Sequence, residues 1–303
     1  MRTTPAHRTP TVRTPTVRTR TVRTRTVVCA GLLLAVAAAV PAQAAPALAQ
    51  ADTTPPRLHL PENASFVRGS TIGPMAPDPA GRPRDTDDIA MRVSWTATDP
   101  AGVCGSSTRA RYAGFAPDRW SPWSPATSVT ALATDYDSQL GGGSFKVVGL
   151  DVRVRDCAGN VAEDFVGVRP AVFQEDGTSF GFDGVSAATS GAWTTTHCTC
   201  WSDGEALWTE TPGAQVRFTT RSDRARPVAV VMERAPDRGR ARVLVDGVLQ
   251  ATVDTAGDPK AHRSVVWTGH VPAGRHVVTV EAVGTPGRPR IDVDAFLVSG
   301  LVA

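Results

Sequence analysis

The sequence lacks an unbroken apolar stretch of 18 residues, so nothing in it reads as a membrane-spanning helix. Long runs of helical periodicity are also missing, which argues against a helical bundle. There is no H-E-x-x-H, no phosphate-binding P-loop and no twelve-residue EF-hand loop, so the usual signatures of a zinc peptidase, a nucleotide-binding enzyme and a calcium sensor are absent. Cysteine is scarce, with 5 in 303 residues, and no C-x-x-C pair occurs. The six histidines (His7, His59, His197, His262, His270 and His276) are scattered rather than clustered.

The N-terminal region has a distinct composition. Residues 28–40, VCAGLLLAVAAAV, form a short apolar run preceded by an arginine-rich, acid-free stretch. Ala42-Gln43-Ala44 and Ala49-Gln50-Ala51 follow it, both small-residue sites of the A-x-A kind. This order is that of a secretory signal peptide over residues 1–44. Without paired arginines or a cysteine after the run, the expectation is Sec-type export, with a mature chain beginning near Ala45 or Asp52. The preceding five-residue repeat, Arg8-Thr-Pro-Thr-Val12 and its successors, reads as an over-long basic region. Initiation at Val22 or Val27 would shorten it. Seven arginines and no acids lie in residues 1–44, so 32 − 7 = 25 basic groups face 29 acidic ones in the remainder. The net charge of +3 becomes −4, and no basic patch is left to argue for nucleic acid. The expected location is extracellular or cell-wall associated.

Removal of Cys29 with the leader leaves Cys104, Cys157, Cys198 and Cys200, an even number for an oxidising compartment. Sequence order pairs Cys104 with Cys157, and Cys198 with Cys200. The remaining chain alternates in period two between turn signals, the pattern of β-sandwiches. Met91, Val93 and Trp95 alternate with Arg92, Ser94 and Thr96; Leu150, Val152 and Val154 alternate with Asp151, Arg153 and Arg155. Phe165, Val166 and Val168 fit a closing strand, and the aromatic, turn-rich stretch Arg111 to Trp123 lies between. Further along, Ala241 to Val245 and Val248 to Val253 flank Asp246-Gly247, a type I′ hairpin signal. Strands over 265–268, 276–283 and 291–298 follow. The expected architecture is all-β, with a sandwich over 52–173, a linker over 174–189 and a second sandwich over 190–303.

The stretches VSWTATDPAGVC and VRVRDCAGNVA resemble the Ig-like or fibronectin-III-like domains of bacterial secreted proteins. That likeness implies a cross-sheet clasp between Cys104 and Cys157. Closing such a loop contributes about 4 kcal/mol in the chain-entropy model. The stretches CTCWSDGEALWTETPGAQVRFT, APDRGRARVLVDG and SVVWTGHVPAGRHVVTVEAVGTPGRPRIDVDAF resemble a C-terminal domain of exported actinobacterial proteins, itself similar to the galactose-binding-like jelly roll of many carbohydrate-binding modules.

HCTCW, residues 197–201, is the densest run of reactive side chains. Extended residues two apart have Cα atoms about 7 Å from each other, so a Cys198–Cys200 bridge needs a turn at Thr199. A metal site needs four ligands, and no second C-x-C or H-x-H follows. The reading is a local staple, with free or intermolecular thiols and a metal as alternatives. The acids Asp85 to Asp88, Asp135 with Asp137, and Asp292 with Asp294 read as solvated. The resemblance offers structural calcium as the alternative, with Asp292 and Asp294 on the last strand. No other cofactor is expected. Sugars stack their C–H faces on indoles, and Trp201 and Trp208 flank Asp203 and Glu205, which makes these four the candidate ligand-binding residues. Trp193 and Trp267 read as core. Asn63-Ala-Ser65 is read as a chance sequon.

No catalytic residue is assigned. The expected function is non-catalytic binding or adhesion, to cell-wall or extracellular polysaccharide. The rivals are a structural or protein-interaction module of the cell envelope, and a hydrolase with its site between the domains.

Overall fold

The computed structural model describes residues 51–74, 87–112, 117–134, 147–168, 170–175 and 185–300. The expected leader and the acids Asp85, Asp135 and Asp137 lie outside these residues. The chain is all-β. In its first half the strands are β1 (Arg57–His59), β2 (Ser65–Phe66), β3 (Gly73–Pro74), β4 (Asp87–Ser94), β5 (Thr96–Thr98), β6 (Val103–Tyr112), β7 (Ser128–Thr134), β8 (Val147–Asp156), β9 (Val161–Gly167) and β10 (Pro170–Gln174). In its second half they are β11 (Val185–Ser190), β12 (Thr194–His197), β13 (Glu205–Thr209), β14 (Gln215–Ser222), β15 (Arg226–Arg234), β16 (Arg240–Val245), β17 (Val248–Asp254), β18 (Ala261–Val271), β19 (Gly274–Ala282) and β20 (Ile291–Ser299). Among the described residues no helix is long and apolar enough to cross a membrane.

The second half forms two facing sheets. One has the order β12-β13-β20-β15-β18, with β10 also paired to β20; the other has the order β11-β14-β19-β16-β17. Neighbours are mostly far apart in sequence, as in a jelly roll. The Asp246-Gly247 turn takes left-handed φ at both positions, 50° and 79°, as a type I′ hairpin requires. Between the sheets lies a core of Val228, Val230, Met232, Phe296 and Val298 against Val216, Phe218, Val243, Val278 and Val280. Phe218 and Phe296 stack across it at 4.9 Å.

The first half has a three-stranded sheet β6-β8-β9 and a sheet of β2, β3, β4 and β7. Their inner residues Ile89, Met91, Val93, Leu150, Val152, Val154 and Val166 are buried together. This second core also contains Ala229, Val231, Val265, Ala295 and Leu297, which belong to β15, β18 and β20. The β15 and β20 sheet is therefore covered on both faces. That is why Arg226–Arg234 and Ile291–Ser299 are buried almost throughout rather than on alternate residues. Backbone bonds from Gly69 to Val265, Ile72 to Arg263 and Val265 to Ser70 tie the two halves together.

The region expected as linker is largely strand where it is described. β10 runs along β20 with Phe173 opposite Phe296, and its Val172 joins the second core while Ala171 and Phe173 join the first. β11 pairs with β14. The Cys104–Cys157 disulfide is present with a Cα–Cα distance of 4.9 Å. It does not bridge two sheets, as the resemblance implied. β6 and β8 are neighbours in one sheet, with Val103 opposite Asp156, so the bond clasps adjacent strands.

Candidate functional site

HCTCW closes a loop between β12 and β13. Cys198 and Cys200 are joined as a disulfide with Cα atoms 5.0 Å apart. The turn at Thr199 brings the Cα atoms inside the bridging range. The Cys198 amide donates to the Gly204 carbonyl and the Trp201 amide to Cys198. Three successive carbonyls, those of Thr199, Cys200 and Trp201, accept hydrogen bonds from the Arg263 guanidinium at 2.9, 2.9 and 2.7 Å. From the other side, the Ser202 amide donates to Asp294 Oδ1 at 2.9 Å and its hydroxyl to Oδ2 at 3.3 Å. The loop is thus fastened to β18 and β20.

This fastening corrects the expected role of Trp201. Its side chain is 4% exposed, with its ring at right angles to His262 at 4.7 Å. A sugar cannot stack on it. The expected solvation of Asp292 and Asp294 is also wrong, since both are fully buried. Asp292 is gripped by Arg238 Nε and by Arg290 Nη2, the latter at 2.5 Å. Arg238 also binds the fully buried Glu233, whose second oxygen meets Lys260 Nζ at 3.1 Å and His262 Nδ1 at 2.7 Å. Burial pushes the His262 pKa down, against the pull of Glu233, so the ring is held below its ordinary value. Burial lowers Arg290 as well, but hydrogen bonding to Asp292 together with the attraction of Asp292, Glu233 and Asp237 outweighs this and raises it. With two arginines on Asp292 and Ser202 on Asp294, these carboxylates serve the loop and its neighbours rather than a calcium ion.

Trp208 stands opposite Asp292 in the β13–β20 register, half-buried, with the Arg290 guanidinium 4.5 Å from its ring centre. The expected pair of tryptophans therefore sits at the two ends of one chain of contacts: Trp201, His262, Glu233, Arg238, Asp292, Arg290, Trp208. Glu205 is apart from it, paired with His197 across the β12–β13 hairpin at 3.1 Å. Asp203 lies in the one-turn 3-10 helix Ser202–Gly204. Trp201 is buried and Glu205 is paired with His197, so these two do not join Trp208 in one surface pocket.

A cavity of about 390 Å³ lies nearby, lined by Glu175, Ala187, Ala188, Thr189, Trp193 and Leu207. Trp193, expected as core, is half-buried and packs against the core with one part while another lines this cavity. Its indole Nε1 donates to the Ser190 carbonyl at 3.1 Å, which fixes the ring. Glu175, just past β10, is 2% exposed. Sequence reasoning missed this residue because β10 was taken as the end of a domain.

In the first half, Asp52, Asp99 and Asp156 each bring a carboxylate oxygen within 4.8 Å of the others. Burial pushes the Asp156 carboxyl up, and hydrogen bonds from Asn160, Gly159 and Ala158 outweigh this, holding it below the usual range. Three carboxylates are the donor type of a hard cation, and about half of the six to eight oxygens calcium takes.

Gly177-Thr178-Ser179-Phe180-Gly181 has the G-x-S-x-G spacing of a nucleophile elbow. It joins strand β10 to strand β11, whereas that elbow sits between a strand and a helix. Its residues lie outside the described ones.

No protein-family model matches the chain, and no curated protein matches it significantly. Among solved structures it is similar to a family 35 carbohydrate-binding module from Clostridium thermocellum, at 13% identity over 43% of this chain and 98% of that one, with a TM-score of 0.34. It is similar to another family 35 module, from Cellvibrio japonicus Abf62, at 16% identity over 44% and 94%, with a TM-score of 0.33. The CBM36-1 domain of a multidomain xylanase, from the hindgut metagenome of Trinervitermes trinervoides, is 10% identical over 45% and 100%, with a TM-score of 0.30.

Proposed function

We propose that this chain is an exported, non-catalytic protein that binds polysaccharide, and that the cavity beside Trp193 receives a sugar unit. The observation that carries the reading is the make-up of that cavity. It combines an oriented indole wall, a buried carboxylate at Glu175 and a volume of about 390 Å³. Its volume falls in the range of ligand sites, roughly 300–1,000 Å³, and its walls mix polar groups with the apolar face of the indole. A sugar needs such a combination, because its ring face is apolar and its rim carries hydroxyls. Export is supported by the leader-like N-terminus and by two disulfides, bonds that persist in oxidising compartments. Binding rather than turnover is supported by the state of the buried acids: Glu233 and Asp292 share Arg238 beneath the 198–204 loop.

The test is retention of the purified protein on insoluble polysaccharides and peptidoglycan. Thr189→Trp fills the cavity from an exposed strand position and is expected to abolish retention with the fold intact by circular dichroism. Trp193→Phe, which keeps the core contact and shrinks the wall, is expected to weaken it several-fold. Retention unchanged in both variants would remove the cavity from the reading. No retention of the wild-type protein on any matrix would remove polysaccharide binding itself.

A further inference from the structure

The outer face of the β6-β8-β9 sheet carries a stack of alternating guanidiniums and aromatic rings. Arg109 lies 4.4 Å from the Trp120 ring centre, Arg153 4.2 Å from Trp120 and 4.6 Å from Trp123, and Arg155 4.7 Å from Trp123. Beside it, Arg111 lies 5.0 Å from Phe165. The order along the stack is Arg109, Trp120, Arg153, Trp123, Arg155.

Two different periods build it. The arginines alternate along β6 and β8, so each pair shares the outer face. The tryptophans come from the segment 117–124, whose amides bond to β6 at every third residue: Asp118 to Ala110, Ser121 to Thr108, and Ser124 to Ser106. Residues three apart therefore point the same way, as in a polyproline II helix. Trp120 and Trp123 are such a pair, and they reach between the arginines.

The face is positively charged. Four guanidiniums meet two carboxylates, Asp151 (buried beneath Arg109 and Arg111) and Glu163, which stands opposite Arg153 in the β8–β9 register and pairs with Arg109. Among the described residues no carboxylate pairs with Arg153 or Arg155, and the buried Nε of Arg153 has no hydrogen-bond acceptor. A guanidinium covered on its faces by indoles offers only its edge, and that edge is the fork that fits a carboxylate. Arg153 and Arg155 repeat at about 7 Å, twice the rise of a strand residue. A repeated fork flanked by aromatic surface fits a ligand with a repeated anion and apolar faces between.

We propose that this face is a second binding site, for an acidic polysaccharide carrying a carboxylate on each sugar. It is separate from the Trp193 cavity and does not depend on that reading. The exposed edges of Trp120 and Trp123 would pack against the apolar C–H groups of the sugars, and Arg153 and Arg155 would take the carboxylates.

The experiment is titration of the full protein with polygalacturonate at low and moderate salt, beside a neutral glucan and single-stranded DNA. Binding is expected to be strong at low salt, to fall with added salt, and to fall about tenfold in Arg155→Gln. Arg155→Lys keeps the charge but loses the fork. It is expected to lose most of the binding too, and it carries the test if Arg155→Gln fails to fold. The proposal is overturned by absence of polygalacturonate binding at low salt, or by displacement of bound polygalacturonate with excess soluble neutral glucan, which would place it in the Trp193 cavity instead. It is equally overturned if a folded Arg155 variant binds as the wild type does, or if DNA binds more tightly and is lost in the same variant.

Discussion

Replacing Arg263 with Met removes the group that holds the HCTCW loop. Its guanidinium donates to three successive carbonyls, and the bond to Trp201 is buried. Hydrogen bonds from a charged donor contribute about 1.5–3 kcal/mol each when the acceptor cannot be rewetted. The loop can open and recover part of that, so the expected loss is about 3–5 kcal/mol rather than the full sum. For a chain of this size each kcal/mol lowers the melting midpoint by roughly 2–4 °C, which gives a fall of about 6–20 °C. Hydrogen exchange resolves where the loss occurs. The amides of Cys198, Ser202 and Gly204 are bonded within the loop or to Asp294, and a peptide covering them should exchange much faster in the variant. Peptides from β16 and β17 should be unaffected, because neither strand touches the loop through those bonds. A midpoint within 2 °C of wild type, together with unchanged exchange over 198–204, would refute the view that Arg263 fastens this loop.

Three further outcomes test other parts of the structure. Leu297 is fully buried on the sheet face that meets the first half, so Leu297→Ala should destabilise by about 2–5 kcal/mol in urea; a loss near zero would mean that this face is open. Gly239 faces the Arg288 carbonyl so closely that an added Cβ would overlap its oxygen; Gly239→Ala should lose about 1–3 kcal/mol, and a neutral result would show that the turn moves freely. A hydrogen bond from Arg288, with help from the Ala256 amide and Arg240, holds the Asp254 carboxyl down to about 2 from 3.8. A carboxyl lowered by folding stabilises above its unfolded pKa, and the contribution fades as pH falls from about 4 to about 2. The side chain is 41% exposed, so screening keeps the effect within about 1 kcal/mol. The stability difference between wild type and Asp254→Asn should therefore be steady above pH 5 and vanish near pH 2; a difference that grows on acidification would reverse the assignment.

The sequence by itself determined the all-β class, because a strand with one buried face writes its burial into alternate residues. Met91, Val93 and Trp95 are buried as their spacing predicts, and so are Leu150, Val152 and Val154. The Asp246-Gly247 turn was equally legible, since the left-handed backbone it needs is open to few residues. Local pattern stops carrying information where a strand is covered on both sides. β15 and β20 lost their alternation for that reason, and with it any sign that the two halves share a core. The site was less legible still. Arg290, two residues from Asp292, is one partner that the sequence places close by, but Arg238 meets Asp292 across 54 residues and Ser202 meets Asp294 across 92, so the burial of both acids is set by distant parts of the chain. Trp201 and Trp208 look equivalent in sequence, seven residues apart beside acids. Only the tertiary structure decided that one is sealed under a loop and the other lies against Arg290, because exposure depends on what the rest of the chain places above a ring. The Trp120 and Trp123 stack is the same case in reverse: a spacing of three has no meaning in a two-residue period until the segment is bonded to β6.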